Sequence, residues 1–156
     1  LATELGNYWC NDDADFMQIA VASTRLSNVV NHLIHSSAQN TPKSGQKRIL
    51  LAKSHGTKHT LGVNLVTMCF RDMGWIVDGG ADLEIGDSLF MRLSSHEYNL
   101  LGLSIGQLDE VRDCELTVER YRSMKKNSRT KIAIGGAAVL AYPDWFKGAK
   151  ADIVAR

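Results

Sequence analysis

The residues best equipped for chemistry stand in three short stretches: Gly56-Thr57-Lys58-His59-Thr60-Leu61-Gly62, Ser104-Ile105-Gly106 and Gly135-Gly136. His59 offers an imidazole nitrogen that could take a transition metal, although a loop histidine can equally cap a helix or stand in solvent. Thr57 and Ser104 offer hydroxyls, and the glycines let a ligand approach the backbone or simply form turns after strands. Gly56-Thr57-Lys58 lacks the first glycine of a phosphate loop, and His59 stands where that motif needs Ser or Thr, so triphosphate hydrolysis is not expected. No nucleophile elbow and no His/Cys/Asp set at zinc spacing is present. His55 competes with His59 on the same loop and is expected to have no role. His32 and His35 share a helical face, where they are either exposed or able to reach the upper side of a metal.

The elements that must position these residues follow from hydrophobic periodicity. Phe16, Ile19, Leu26, Val29, Val30 and Leu33 recur at helical spacing, with Asp12, Asp13 and Asp15 suited to the helix start. A shorter helix carrying Leu5 and Trp9 is expected before it. Residues 1–37 therefore read as a helical cap segment and the polar stretch 38–47, with Pro42 and Gly45, as a linker. From 48 to 156 apolar runs alternate with helical patterns. Strands are expected at Ile49–Ala52, Trp75–Val77, Leu100–Ile105, Ile132–Ile134 and Ile153–Val154. Helices are expected at Thr60–Met73, about Ile85–Leu93, Asp109–Lys126 and Ala138–Phe146, with Gly62, Val66, Phe70 and Met73 forming the sheet-facing stripe of the first.

This alternation predicts an α/β fold: a flavodoxin-like, Rossmann-like parallel sheet of five strands covered on both faces, with an N-terminal helical cap. In such sheets ligands collect beyond the carboxyl ends of the strands, where strand order reverses. A flavodoxin-like order puts that point between strands one and three, and the three chemical stretches follow strands one, three and four. On this placement acids near the pocket are expected to be absent or confined to helix faces, which argues against catalysis by the chain itself.

Composition bounds the function further. The chain has 156 residues, 44% of them apolar, and a formal charge of +1, which implies no broad basic face for nucleic acid and no polybasic membrane anchor. Cys10, Cys69 and Cys114 lie far apart without a Cys-x-x-Cys pair, a pattern suited to a reduced, cytoplasmic protein. No stretch has the apolar length of a membrane span. The chain begins at Leu1 rather than Met, so residues are expected to be missing at its ends.

His59-Thr60-Leu61-Gly62, with Ser104, Gly106 and Gly135-Gly136 following at matching intervals, resembles the Asp-x-His-x-x-Gly, Ser-x-Leu, Gly-Gly signature of the cobalamin (B12)-binding domain family. The His-Thr-Leu-Gly form, the later Gly74-Trp75-Ile76-Val77 and the N-terminal Trp9, Asp12, Phe16, Arg25 and Leu26 are most similar to its regulatory, photoreceptor-type branch, which includes B12-dependent antirepressors and haem-sensor relatives. The resemblance implies His59 as lower axial metal ligand, with Thr57, Lys58, Thr60 and Gly62 beside it. It implies that the Ser104 hydroxyl bonds the displaced base, that Gly106 leaves room in that slot, and that Gly135 and Gly136 let the nucleotide tail lie along the backbone. Trp9 would serve as a lid against the macrocycle face. Thr57 stands where the family carries an acid, so the hydroxyl would fix the tautomer of His59 without negative charge. Gly106 likewise replaces the usual Leu.

The function so implied is a tetrapyrrole-binding sensor or regulatory domain, with cobalamin as cofactor and haem as the alternative, addressing a regulatory protein partner. A homo-oligomer is one assembly the sequence allows. Two other functions remain: a corrinoid carrier subunit of a methyltransferase, and a degenerate domain used for protein contacts without cofactor.

Overall fold

The computed structural model describes residues 4, 7–8, 11, 15–37, 45–57, 60–124 and 129–155. Trp9, Lys58 and His59 lie outside the described residues. The chain forms two compact units, residues 1–39 and 40–156.

In the first unit a helix, α1 (Phe16–Ser37), follows Asp15, whose carboxylate accepts a hydrogen bond from the Gln18 amide at 2.8 Å. Val30 is buried, whereas Met17, Val21, Val29 and Leu33 are exposed. The described helices include none long and apolar enough to cross a membrane.

The second unit is built on five parallel strands: β1 (Arg48–Lys53), β2 (Ile76–Glu84), β3 (Leu100–Ser104), β4 (Lys131–Gly135) and β5 (Ile153–Val154), in the order β2-β1-β3-β4-β5. This is the flavodoxin-like sheet that the alternating pattern predicts. Successive strand residues point to opposite faces, so the continuous apolar run of β1 serves two cores. Leu50 and Ala52 join Leu101, Leu103, Ile132 and Ile134 on the face covered by α3 (Asp87–Ser95) and α4 (Val111–Met124). Ile49 and Leu51 pack on the other face with Val63 of α2 (Leu61–Asp72), Phe70 and Trp75, the last two with their rings meeting edge to face at 5.2 Å.

Several elements depart from their expected form, each for a local reason. The buried line of α2 is Val63, Thr67 and the half-buried Phe70, while Gly62, Val66 and Met73 are exposed. The expected stripe is thus turned by one residue. Thr67 can face the sheet because its hydroxyl donates to the Val63 carbonyl at 2.8 Å, leaving no polar group unsatisfied. Among the described residues nothing lies within 4 Å of where a Cβ on Gly62 would stand, so it does not serve close packing of the helix on the sheet.

β2 runs on through Gly79-Gly80 to Glu84, and α3 begins at Asp87 rather than Ile85, because the glycine pair forms a bulge inside the strand instead of ending it. The charged helix opens as a 3-10 turn (Leu108–Glu110) before α4, and buries Cys114, Thr117, Val118 and Tyr121 along one stripe. After β4 the expected single helix is two pieces, α5 (Ala137–Ala141) and a 3-10 segment (Pro143–Ala149). They divide at Tyr142, where the following Pro143 disfavours helical backbone.

Both described cysteines are free, Cys69 exposed and Cys114 buried. Burial pushes the Cys114 thiol up to about 12, so near neutral pH it stays protonated. Iodoacetamide at about pH 8 is therefore expected to label Cys69 in the folded protein and Cys114 only in denaturant. Peptide mass spectrometry reads both.

Candidate functional site

Strand register brings the sequence-predicted stretches together. Lys53 at the end of β1 pairs with Ser104 at the end of β3, which pairs with Gly135 at the end of β4. The loops after these strands therefore leave one edge of the sheet at the same level. β1 and β3 are neighbours whose following connections run to opposite sides, which is the reversal point expected for a ligand.

The edge is tied together by backbone. The Ser54 amide and hydroxyl both donate to the Ser104 carbonyl, at 3.0 and 3.2 Å. The Ile105 amide donates to the Gly135 carbonyl at 2.7 Å, and the Ile105 carbonyl accepts from Ala138 at 3.3 Å. Gly136 fits against this crossing with φ +111°, and a Cβ on it would stand 2.3 Å from the Ile105 carbonyl oxygen and 2.7 Å from its nitrogen. Gly135 is less confined, its added Cβ meeting Ala155 at 3.3 Å. Both glycines thus have an internal packing reason.

Space remains at the loop after β1. Among the described residues nothing lies within 4 Å of a Cβ added at Gly56 or Gly62, and at Gly106 an added Cβ makes only ordinary contacts, 3.5 Å to Thr57 Oγ1 and 3.8 Å to Glu110 Oε2. Thr60 precedes α2 in helical conformation, and its carbonyl accepts the Asn64 amide at 2.9 Å. A cavity of about 260 Å³ opens at the same end of the sheet, on the α3 and α4 side, with Ser54, His55, Gly86, Phe90, Glu110 and Arg120 in its lining.

Two acids that the sequence reading did not assign stand here. Glu84, the last residue of β2, accepts from Lys53 Nζ at 2.9 Å and from His55 Nδ1 at 2.8 Å, so His55 is engaged where no role was expected. The Lys53 hydrogen bond, with the Gly56 amide and the charges of Lys53 and His55, holds the Glu84 carboxyl below its usual range despite the opposing effect of burial. Glu110 accepts from the Gly106 and Gln107 amides, each at 2.9 Å, closing a capping box at the start of the 3-10 turn. The expectation that nearby acids are absent or confined to helix faces is corrected by Glu84, which comes from a strand. The signal for Glu110 was readable as Gln107-x-x-Glu110. That for Glu84 was not, because its approach to Lys53 depends on the bulge in β2.

Among the described residues no three His, Cys, Asp or Glu side chains are grouped to hold a bare metal ion. A tetrapyrrole metal brings four equatorial nitrogens of its own and asks the protein for axial ligands only.

Comparison with known proteins gives a family from one match and a likeness of fold from another. A family model described as B12 binding domain matches residues 47–156. The chain is 27% identical over 155 residues to an uncharacterised 20.5 kDa protein in the bchF-crtJ intergenic region of Rhodobacter capsulatus, covering 98% of this chain and 79% of that relative. Among solved structures, the 1.5 Å crystal structure of a novel cobalamin-binding protein from Desulfitobacterium hafniense DCB-2 superposes with a TM-score of 0.61 at 19% identity. That match covers 97% of this chain and 70% of the other, a likeness of fold.

Proposed function

The chain belongs to the B12-binding domain family, and from that premise we propose that it is a cobalamin-binding sensor domain in which His59 is the lower axial ligand to cobalt. The observation that carries this reading is the common edge formed by the ends of β1, β3 and β4, with Gly56 and Gly62 open toward the described residues and only ordinary contacts at Gly106. That space suits a wide, flat cofactor lying across the strand ends. When bound, cobalamin supplies a cobalt centre whose upper ligand can be exchanged.

The chain's own residues have complementary tasks. His59 takes the place of the cofactor's base on the metal, with Thr57 offering its hydroxyl oxygen to the second ring nitrogen. Lys58, Thr60 and Gly62 line the same loop. Ser104 binds the displaced base, Gly106 widens its slot, and Gly135 and Gly136 border the nucleotide tail. Trp9 is assigned the part of a lid by the resemblance alone. The sensor role is preferred to a corrinoid carrier because Thr57 cannot relay a proton as an acid would, and a carrier cycling through cobalt(I) relies on such a relay. We place the domain in the cytoplasm, addressing a regulatory protein partner and able to form homo-oligomers.

A second reading has an observation in its favour. Gly136 is required by the Ile105 crossing whether or not a ligand is bound, so its presence is equally compatible with a degenerate domain that binds no cofactor.

The test is an absorbance titration with hydroxocobalamin, methylcobalamin, adenosylcobalamin and haemin, followed by electron paramagnetic resonance of bound cob(II)alamin on protein labelled with 15N-histidine. A cobalamin-specific shift with nitrogen splitting that changes from triplet to doublet on labelling is expected. A response to haemin alone would make the domain a haem sensor, and silence with all four would favour the cofactor-free domain.

A further inference from the structure

We propose that Lys53 and Glu84 are positioning residues that set where the His59 loop leaves the sheet, an inference that rests on the reading of His59 as metal ligand. Lys53 ends the apolar run of β1 and is 7% exposed. An ammonium group is tolerated there only when its hydrogen bonds are filled. Its Nζ donates to the Thr57 carbonyl at 2.7 Å and to Glu84 Oε1 at 2.9 Å. The first of these bonds fixes the backbone two residues before His59. Glu84 fixes the same stretch again, since its carboxylate also meets His55 Nδ1 at 2.8 Å.

The bulge in β2 is what makes this clamp. Leu51 pairs with Gly79 and Lys53 with Glu84, so two steps along β1 match five along β2. Regular pairing would have set Ala81 opposite Lys53 and left the ammonium without a carboxylate. The departure is built from glycine: Gly79 and Gly80 have φ of +77° and +93°, and a Cβ on Gly79 would stand 2.2 Å from the Leu51 carbonyl oxygen. Bulges beside functional sites commonly re-aim a side chain, and here the side chain re-aimed is Glu84. Neither residue need touch the cofactor. They act by holding Gly56 and Thr57 so that the residues that follow start from one geometry.

The test compares Lys53→Met and Glu84→Gln with Asp152→Asn. Asp152 binds Arg122, Lys131 and the Ile132 amide at the opposite edge of the sheet, so its loss reports on stability alone. The proteins, carrying 15N-histidine, are compared for hydroxocobalamin affinity, for the cob(II)alamin nitrogen splitting and for hydrogen exchange in the peptide holding residues 54–57. Residues that act on a metal ligand through the backbone before it can cost up to the roughly 10–100-fold that loss of a ligand's direct hydrogen-bond partner costs. Lys53→Met and Glu84→Gln are expected to lose affinity in that range, to lose the 15N doublet and to exchange faster in the loop, while Asp152→Asn keeps the doublet. Should Lys53→Met fail to fold, Glu84→Gln decides, its side chain being 37% exposed. Affinity and doublet unchanged in Glu84→Gln, or reduced no more than in Asp152→Asn, overturn the clamp. A wild-type protein that binds cobalamin without the 15N doublet overturns the His59 reading itself, and the clamp with it.

Discussion

Replacing Gly136 with alanine is expected to destabilise the α/β unit by about 2–5 kcal/mol, a large share of a domain's usual margin. Two costs combine. The backbone at Gly136 has φ +111°, a region that L side chains rarely adopt, and the new Cβ would press on both the nitrogen and the carbonyl oxygen of Ile105. Ile105 cannot retreat easily, because it is fully buried and its amide and carbonyl are engaged with Gly135 and Ala138. Gly135→Ala is the matched control: its Cβ would meet only the Ala155 methyl at 3.3 Å, next to the short strand β5, and a loss below about 1 kcal/mol is expected. Urea denaturation of both variants checks the difference. Equal losses would mean that the Gly136 crossing is not rigid. The pair also guards against a misreading, since cobalamin binding lost in Gly136→Ala reports on folding unless the protein is shown to be native.

The sheet was legible because each of its strands contains a short apolar run between helical patterns, and a run such as Ile49–Ala52, buried on both faces, has few other places to go. The edge that gathers the site was legible for the same reason: once the order of parallel strands is known, the loops after β1, β3 and β4 must emerge together. What escaped was set by contacts rather than by pattern. The sheet-facing stripe of α2 was misplaced because Thr67 counts as polar until its hydroxyl is seen bonded to Val63. β2 was read only as Trp75–Val77 because the apolar run stops at Asp78, and only register shows that the strand continues through a bulge at Gly79-Gly80. Glu84 was invisible for that reason, although Lys53, a charge closing an apolar strand, signalled that some carboxylate or carbonyl had to meet it.

On the proposed ligation, His59→Ala is expected to weaken cobalamin binding by more than about 100-fold and to abolish the 15N doublet, because loss of a direct ligand matters more than loss of an outer partner, which typically costs about 10–100-fold. The companion change, Thr57→Asp, tests how the second nitrogen of His59 is held. A carboxylate there would favour the tautomer that binds metal and raise the basicity of the ring, which by itself should tighten binding by about tenfold. Thr57 Oγ1 and Glu110 Oε2, however, both face the small space beside Gly106, at 3.5 and 3.8 Å from the position of an added Cβ. A second negative charge in that space is disfavoured. Thr57→Asp alone is therefore expected to gain less than about tenfold in affinity, and Thr57→Asp with Glu110→Gln to recover the full gain, since the amide oxygen of the new side chain can still accept from Gly106 and Gln107. Titration with hydroxocobalamin across the four combinations isolates the coupling. A gain from Thr57→Asp that is the same with and without Glu110→Gln would show that the two side chains do not share the space. No gain in either background would place the second nitrogen of His59 away from residue 57.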